Sequence, residues 1–134
     1  MSAVALQKAL RARLATSPAV IALVPAANIG DRHGKPAAFP SIIMGEDQDV
    51  DATLTLDRRH REIYVTLHVW DRSPALVTVK QIAAAIGQAI GDDLTLESGR
   101  VVDIRLANTR CLRDPDGVTA HAVVTLEALL EVAE

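Results

Sequence analysis

Glu62-Ile63-Tyr64-Val65-Thr66-Leu67-His68-Val69-Trp70 is the stretch on which the fold turns. Successive side chains of an extended strand point to opposite sides. Ile63, Val65, Leu67 and Val69 therefore share one face, and Tyr64, Thr66, His68 and Trp70 share the other. The period predicts a strand with one buried face, which needs strand neighbours beside it and a covering layer above it. The aromatic residues Tyr64 and Trp70 on the second face fit either an interface anchor or packing between elements.

Immediately upstream, Pro40-Ser41-Ile42-Ile43-Met44-Gly45 is a short apolar run bounded by Pro and Gly, as expected of a strand entering the core. Between the two runs lies a polar stretch split by charge. Glu46, Asp47, Asp49 and Asp51 come first, and Arg58, Arg59, His60 and Arg61 follow. A polar connection of this length in a compact domain tends to be functional or disordered, and even a solvated disordered loop can be captured by a partner. The sequence thus predicts a protruding polar arm at about 46–61, available for capture by a complementary surface. Its candidate partner or oligomer contacts are Asp47, Asp49, Asp51, Arg58, Arg59 and Arg61.

Downstream, Ser73 is a candidate N-cap and Pro74 suits the first helical position. Val79, Ile82, Ala83, Ile86 and Ile90 form the apolar stripe of the helix that follows, and Gly91 stands where a left-handed cap would end it. Ala83, Ala84 and Ala85 allow close packing on a sheet. Leu94–Leu96 reads as a short strand before a Ser98-Gly99 turn, after which Val102, Ile104 and Leu106 alternate with Asp103 and Arg105. Asp114-Pro115-Asp116-Gly117 is a turn signal between antiparallel strands, since Pro presets φ and Gly tolerates positive φ. The last strand is expected from Val118 to about Val132, with Ala120, Ala122, Val124, Leu126, Ala128 and Leu130 on one face; its end is compatible with strand or helix.

The chain opens with a helix. Ser2 can cap it, and Ala3, Leu6, Leu10 and Leu14 recur at helical spacing. Thr16 and Ser17 end that helix, Pro18 starts a second one reaching about Val24, and Pro25 stops it. Asn28–Pro36, rich in Gly, Pro and charge, reads as a surface loop. The order is α-α-β-(arm)-β-α-β-β over one domain spanning 1–134. It predicts an α+β fold: a mixed, mainly antiparallel sheet with helices packed on one face.

A chain of 134 residues can bury roughly two-thirds of its unfolded surface and fold without disulfides or metals. Hydrophobic residues make up 49% and aromatics 2%, so the core must be built from Ala, Val, Ile and Leu. Three aromatics also make a poor stacking platform for nucleic acid. A net charge of −3 and a pI of 5.8 give no positive field for gathering phosphates, so direct sequence-specific nucleic-acid binding is not expected. The single cysteine, Cys111, excludes an internal disulfide and suggests a reducing compartment. Lys8, Arg11 and Arg13 interrupt the opening helix, and no apolar run reaches membrane-spanning length, so no membrane partner is expected.

No catalytic motif emerges. His33, His60, His68 and His121 are scattered, with no HExxH and no pair at helical or strand spacing, so no metal site is predicted. Ser17, Ser41, Ser73 and Ser98 are accounted for by caps, strand entry and turns, and none sits in GxSxG. Gly30 to Lys35 lacks the order of a phosphate-binding loop, because Pro36 holds the Ser/Thr position. Asp114 and Asp116 have no oxygen donors downstream of the kind a calcium loop supplies. Cys111 reads as a small packed residue in a strand. No cofactor is expected.

Taken end to end, the chain resembles the tail-terminator or tail-completion (head-tail joining) proteins of long-tailed bacteriophages and gene transfer agents. The resemblance rests on Leu6-Gln7-Lys8-Ala9-Leu10 followed by Ser17-Pro18-Ala19-Val20, then Phe39-Pro40 before a strand. Leu67-His68-Val69-Trp70 follows, ahead of Ile82-Ala83-Ala84-Ala85-Ile86, and Asp114-Pro115-Asp116-Gly117-Val118-Thr119-Ala120-His121 runs into the terminal strand. Ala122 stands where many relatives would carry glycine. The resemblance implies a structural virion protein and no reaction. Copies would form a ring, commonly of six, on the head-proximal end of the tail tube, stop its growth and join tail to head. The implied partners are the chain itself, the tail tube protein and a head-tail connector protein, at the head-tail junction of a particle assembled in the bacterial cytoplasm. The alternatives are a connector component on the portal side and, more distantly, a small enzyme.

Overall fold

The computed structural model describes residues 2–52, 56 and 59–133. Two helices, α1 (Ser2–Thr16) and α2 (Pro18–Ile21), precede a 3-10 turn at Ala26–Asn28. The strands β1 (Ile29–Asp31), β2 (Ser41–Asp51) and β3 (His60–Asp71) come next, followed by α3 (Val77–Ala89) and the strands β4 (Arg100–Arg113) and β5 (Ala120–Glu131). The sheet order is β1-β2-β3-β5-β4. β1 runs parallel to β2, and the other neighbours are antiparallel. This is the expected mixed, mainly antiparallel α+β arrangement.

The centre of the sheet is the pair β3 and β5, matched along all 12 residues of β3. Ile63, Val65, Leu67 and Val69 lie on the buried face of β3, and all six predicted residues from Ala120 to Leu130 on that of β5. The cross-strand partners alternate in size. Ile63 meets Ala128, Val65 meets Leu126, and Val69 meets Ala122, which leaves room for α3 to lie across the ladder with Ile82, Ala83 and Ile86 buried. Leu6, Leu10 and Leu14 bring α1 into the same core. Burying each of these leucines or isoleucines contributes about 1.5–3 kcal/mol.

Five local readings of the sequence change. First, the Asn28–Pro36 loop contains β1, whose Ile29 is buried; three residues are too few to show a period. Second, β2 does not stop at Gly45 but continues to Asp51, where both faces are polar and only backbone pairing with β3 marks the strand. Glu46 to Asp51 and, opposite them, the start of β3 at His60 and Arg61 thus extend the sheet, while 53–55, 57 and 58 of the polar stretch lie outside the described residues. Third, α3 starts at Val77 without a side-chain cap. Ser73 Oγ accepts a local bond from Ala75 N (3.3 Å), and Arg113 Nε donates to Pro74 O (3.0 Å), so this junction is a loop held to β4. Fourth, no left-handed glycine ends α3. Ile90 is extended at φ −85°, ψ 149°, and Arg13 closes the helix by donating to Ala89 O (2.9 Å) while pairing with Asp93 (3.2 Å), a cation placed at the negative end of the helix dipole. Fifth, Leu94–Leu96 is not a strand, although Leu94 is buried.

β4 also departs from strict alternation. Bulges between Val101 and Asp103 and between Leu106 and Asn108 each insert an unpaired residue and so shift the phase of the strand. Val101 and Ile104 are buried in the core and Leu106 packs against it partly buried, whereas the sequence pattern puts Val102, Ile104 and Leu106 on one side.

Leu126 is fully buried at the centre of this core. Leu126→Ala is expected to lower unfolding stability by about 2–5 kcal/mol, measured as a reduced urea midpoint with an unchanged slope.

Candidate functional site

The helices cover one face of the sheet, and the other face carries Tyr64, Thr66, His68, Trp70 and the alternate residues of β5 from His121 onward. At one end of this face is a cleft of about 870 Å³ between the β1–β2 loop (Asp31 to Lys35), the Gly45-Glu46 bend of β2, and His68, Trp70 and His121.

Its floor is a stack of rings. Trp70 pairs with His121 in the β3–β5 ladder, and the two rings lie 3.8 Å apart at an interplanar angle of 5°. His68 also stacks against His121, with ring centroids 5.1 Å apart at an interplanar angle of 27°. Only 9% of Trp70 is exposed, and its indole Nε1 is buried with no hydrogen-bond partner among the described residues. A hydrogen bond of 2.9 Å joins His68 Nδ1 and His121 Nε2, while His68 Nε2 lies 3.4 Å from Glu46 Oε1. The carboxylate favours a proton on His68 Nε2, so in the neutral pair His121 Nε2 donates and His68 Nδ1 accepts. Gly45 makes this seat possible. A Cβ there would stand 2.7 Å from His68 Cδ2, inside contact distance.

A second group fastens the rim. Lys35 Nζ bonds Asp114 Oδ2 (2.7 Å) and Asp116 Oδ2 (3.0 Å) and lies 5.8 Å from the Trp70 ring centroid. Asp116 also accepts from Val118 N, Thr119 N and Thr119 Oγ1. The Thr119 hydroxyl, the Val118 amide and Lys35 hold its carboxyl well below the usual range. The predicted turn forms, with Gly117 at φ +77°, and Lys35 clasps it to the β1–β2 loop. The arrangement couples two loops to the end of the sheet. Cys111 belongs to the other side: it pairs with Ala122, whose side chain lies in the core. Among the described residues, no group of three or more potential metal ligands comes together.

The sequence reading treated the histidines as scattered, and for His68 and His121 the structure differs. They are 53 residues apart and meet diagonally across β3 and β5. The available signal was that each lies on the non-core face of a period-two strand, near the same end; only the register, set by the long-range pairing, brings them together.

The predicted contact residues lie elsewhere. Asp47, Asp49 and Asp51 pair with Val65, Ile63 and Arg61, so they share the helix side of the sheet, opposite the histidines. Arg61 Nε donates to Asp49 Oδ1 at 2.8 Å, bringing the acidic and basic blocks together within one chain. Arg59 adjoins the start of β3, with its carbonyl accepting from Val132 N. Arg58 lies outside the described residues.

Burial, followed by repulsion from His68, depresses the pKa of His121 from 6.5 to about 4. The unfolded chain takes up this proton near pH 6.5 and the native chain only near 4, so stability falls as pH drops through that window. An NMR titration should place the His121 midpoint near 4. Denaturant melts between pH 6.5 and 4.5 should show a pH slope that His121→Gln reduces, the remaining slope belonging to carboxylates that begin to protonate toward the lower end of the window.

Comparison with known proteins supplies the family. Among curated proteins, none matches the chain. The fold is similar to a chain in the virion of a native gene transfer agent particle, with a TM-score of 0.80, 22% identity and coverage of 96% of each chain. It is also similar to the gp17 protein of bacteriophage SPP1, with a TM-score of 0.61, 21% identity and coverage of 99% of this chain and 92% of the other. The family model described as tail completion protein gp17 matches residues 8–131, nearly the whole chain. The chain therefore belongs to the tail completion protein gp17 family, and its role is a structural one in completing a virion tail.

Proposed function

We propose that copies of this chain form a ring, of six subunits, on the head-proximal end of a tail tube, where the ring stops tube growth and joins the tail to the head. The observation that carries this reading is the family match over residues 8–131. The similarity in fold to a chain of a gene transfer agent virion agrees with it. The partners are further copies of the chain, the tail tube protein and a connector protein on the head side, and the place of action is the head-tail junction.

In this reading the contact residues are Asp47, Asp49, Asp51, Arg58, Arg59 and Arg61. Asp47 and Asp49 project from an exposed part of β2. Since Asp49 and Arg61 already form an ion pair, reversing Arg61 alone would disturb the chain itself. Asp47 is the cleaner probe of contact with a neighbour. A closed ring also needs a heterologous interface, one patch meeting a different patch on the next copy.

Electron microscopy of particles from a deletion strain tests the assignment. Overlong tubes are expected. Normal-length tails detached from filled heads would assign the chain to the connector, and wholly normal particles would overturn a role in tail completion. Asp47→Lys is expected to reduce the fraction of heads carrying tails while leaving the thermal midpoint of the isolated protein unchanged; full tail attachment would remove Asp47 from the interface.

A further inference from the structure

The sheet has two open edges of opposite charge. At one edge β1 is three residues long and covers only Ile42, Ile43 and Met44 of β2. Among the described residues, β2 has β3 as its only strand neighbour from Gly45 to Asp51, and Glu46, Asp47, Gln48 and Asp49 are all exposed. This segment holds four carboxylates and no cation. At the other edge, β4 spans 14 residues and, among the described residues, has β5 as its only strand neighbour. β4 holds Arg100, Arg105, Arg110 and Arg113 against the single carboxylate Asp103. An unpaired edge is a template for another strand, and like charges on it resist self-pairing.

We infer that the β2 edge of one copy, Gly45–Asp51, adds to the β4 edge of the next copy, so that neighbouring sheets run continuously around the assembly. This inference rests on the ring reading and specifies its interface. Charge selects the partner edge. Two β2 edges repel, two β4 edges repel, and a β2 edge attracts a β4 edge, which makes the contact heterologous as a closed ring requires.

Chain direction agrees. β2, β3, β5 and β4 alternate in sense, so β4 runs antiparallel to β2. Rotation about an axis along the strands therefore brings β4 against the next β2 as an antiparallel pair, whose backbone hydrogen bonds run perpendicular to the strands.

The charges do not form a ladder of ion pairs. Asp47, Asp49 and Asp51 share the helix side, whereas Arg105 and Arg110 pair with Glu127 and Val123 on the open side. Arg100 and Arg105 are also bonded to Glu131 and Glu127 within the chain. Backbone bonding holds the join, and the field of each edge determines which edges approach. The side chains of Asp47 and Arg110 take part in no ion pair or hydrogen bond among the described residues, so their charge remains available for that steering.

The test is disulfide trapping in the full chain carrying Cys111→Ser. Gln48→Cys is combined in turn with Asp103→Cys, Asn108→Cys or Arg110→Cys, all on the open side of the sheet, where directly opposed Cβ atoms come close enough to bridge. After oxidation of assembled particles, one pairing is expected to give a ladder of covalent multimers on a non-reducing gel, with the Gln48→Cys chain alone remaining monomeric. Rings visible by electron microscopy without cross-links in any pairing would overturn the edge join and leave the ring reading standing. Cross-linking of Gln48→Cys alone would overturn it in favour of an isologous contact. Absence of both rings and cross-links would overturn the inference together with the ring.

Discussion

Everything in this chain hangs on the antiparallel ladder between β3 and β5, which matches two period-two strands along their aliphatic faces. The pairing joins segments separated by α3 and β4, so the entropy of closing that loop must be offset by what the ladder buries. Val65, Leu67, Val124 and Leu126 supply the centre of that burial. With aromatics at 2%, the core depends on many aliphatic contacts of ordinary size. Ala122 and Ala128 on β5 and Ala83 and Ala85 on α3 allow the helix to approach closely enough for those contacts to form.

The elements that could be read from the sequence are those with a buried face long enough to show a period. α1, β3, α3 and β5 meet that condition, and their core residues match the pattern. β1 is too short for it, and the outer half of β2 buries neither face, so the backbone pairing that defines both segments leaves no apolar trace. β4 fails in another way. Its apolar residues are present, but two bulges reset which of them face inward, and a bulge depends on the partner strand as much as on the local sequence. The ends of α3 were misread because tertiary partners replaced local signals: Arg13, 76 residues from Ala89, does the capping that Gly91 was expected to do.

The cleft shows the same limit at the scale of a site. Trp70 and His68 were visible as residues on the non-core face, and the Asp114–Gly117 turn was visible as a turn. Their convergence with His121, Lys35 and Glu46 depends on the β3–β5 register and on a loop folding back across the sheet. The polar stretch was legible as charge but not as structure. Its acidic and basic blocks meet across the β2–β3 ladder at one end, where Asp51 pairs with Arg61 in register and Asp49 with Arg61 by charge.

The β3–β5 ladder also has a mechanical consequence. A pull applied along the strands, with one end of the sheet held and the other loaded, stretches the hydrogen bonds of the ladder together, whereas a pull across the strands breaks them one after another. Because β3 is bonded along its full length to β5 on one side and over much of it to β2 on the other, the domain is stiffest along the strand axis and most easily peeled at its edges. A subunit that carries load within a virion tail would best withstand it with its strands aligned to that load.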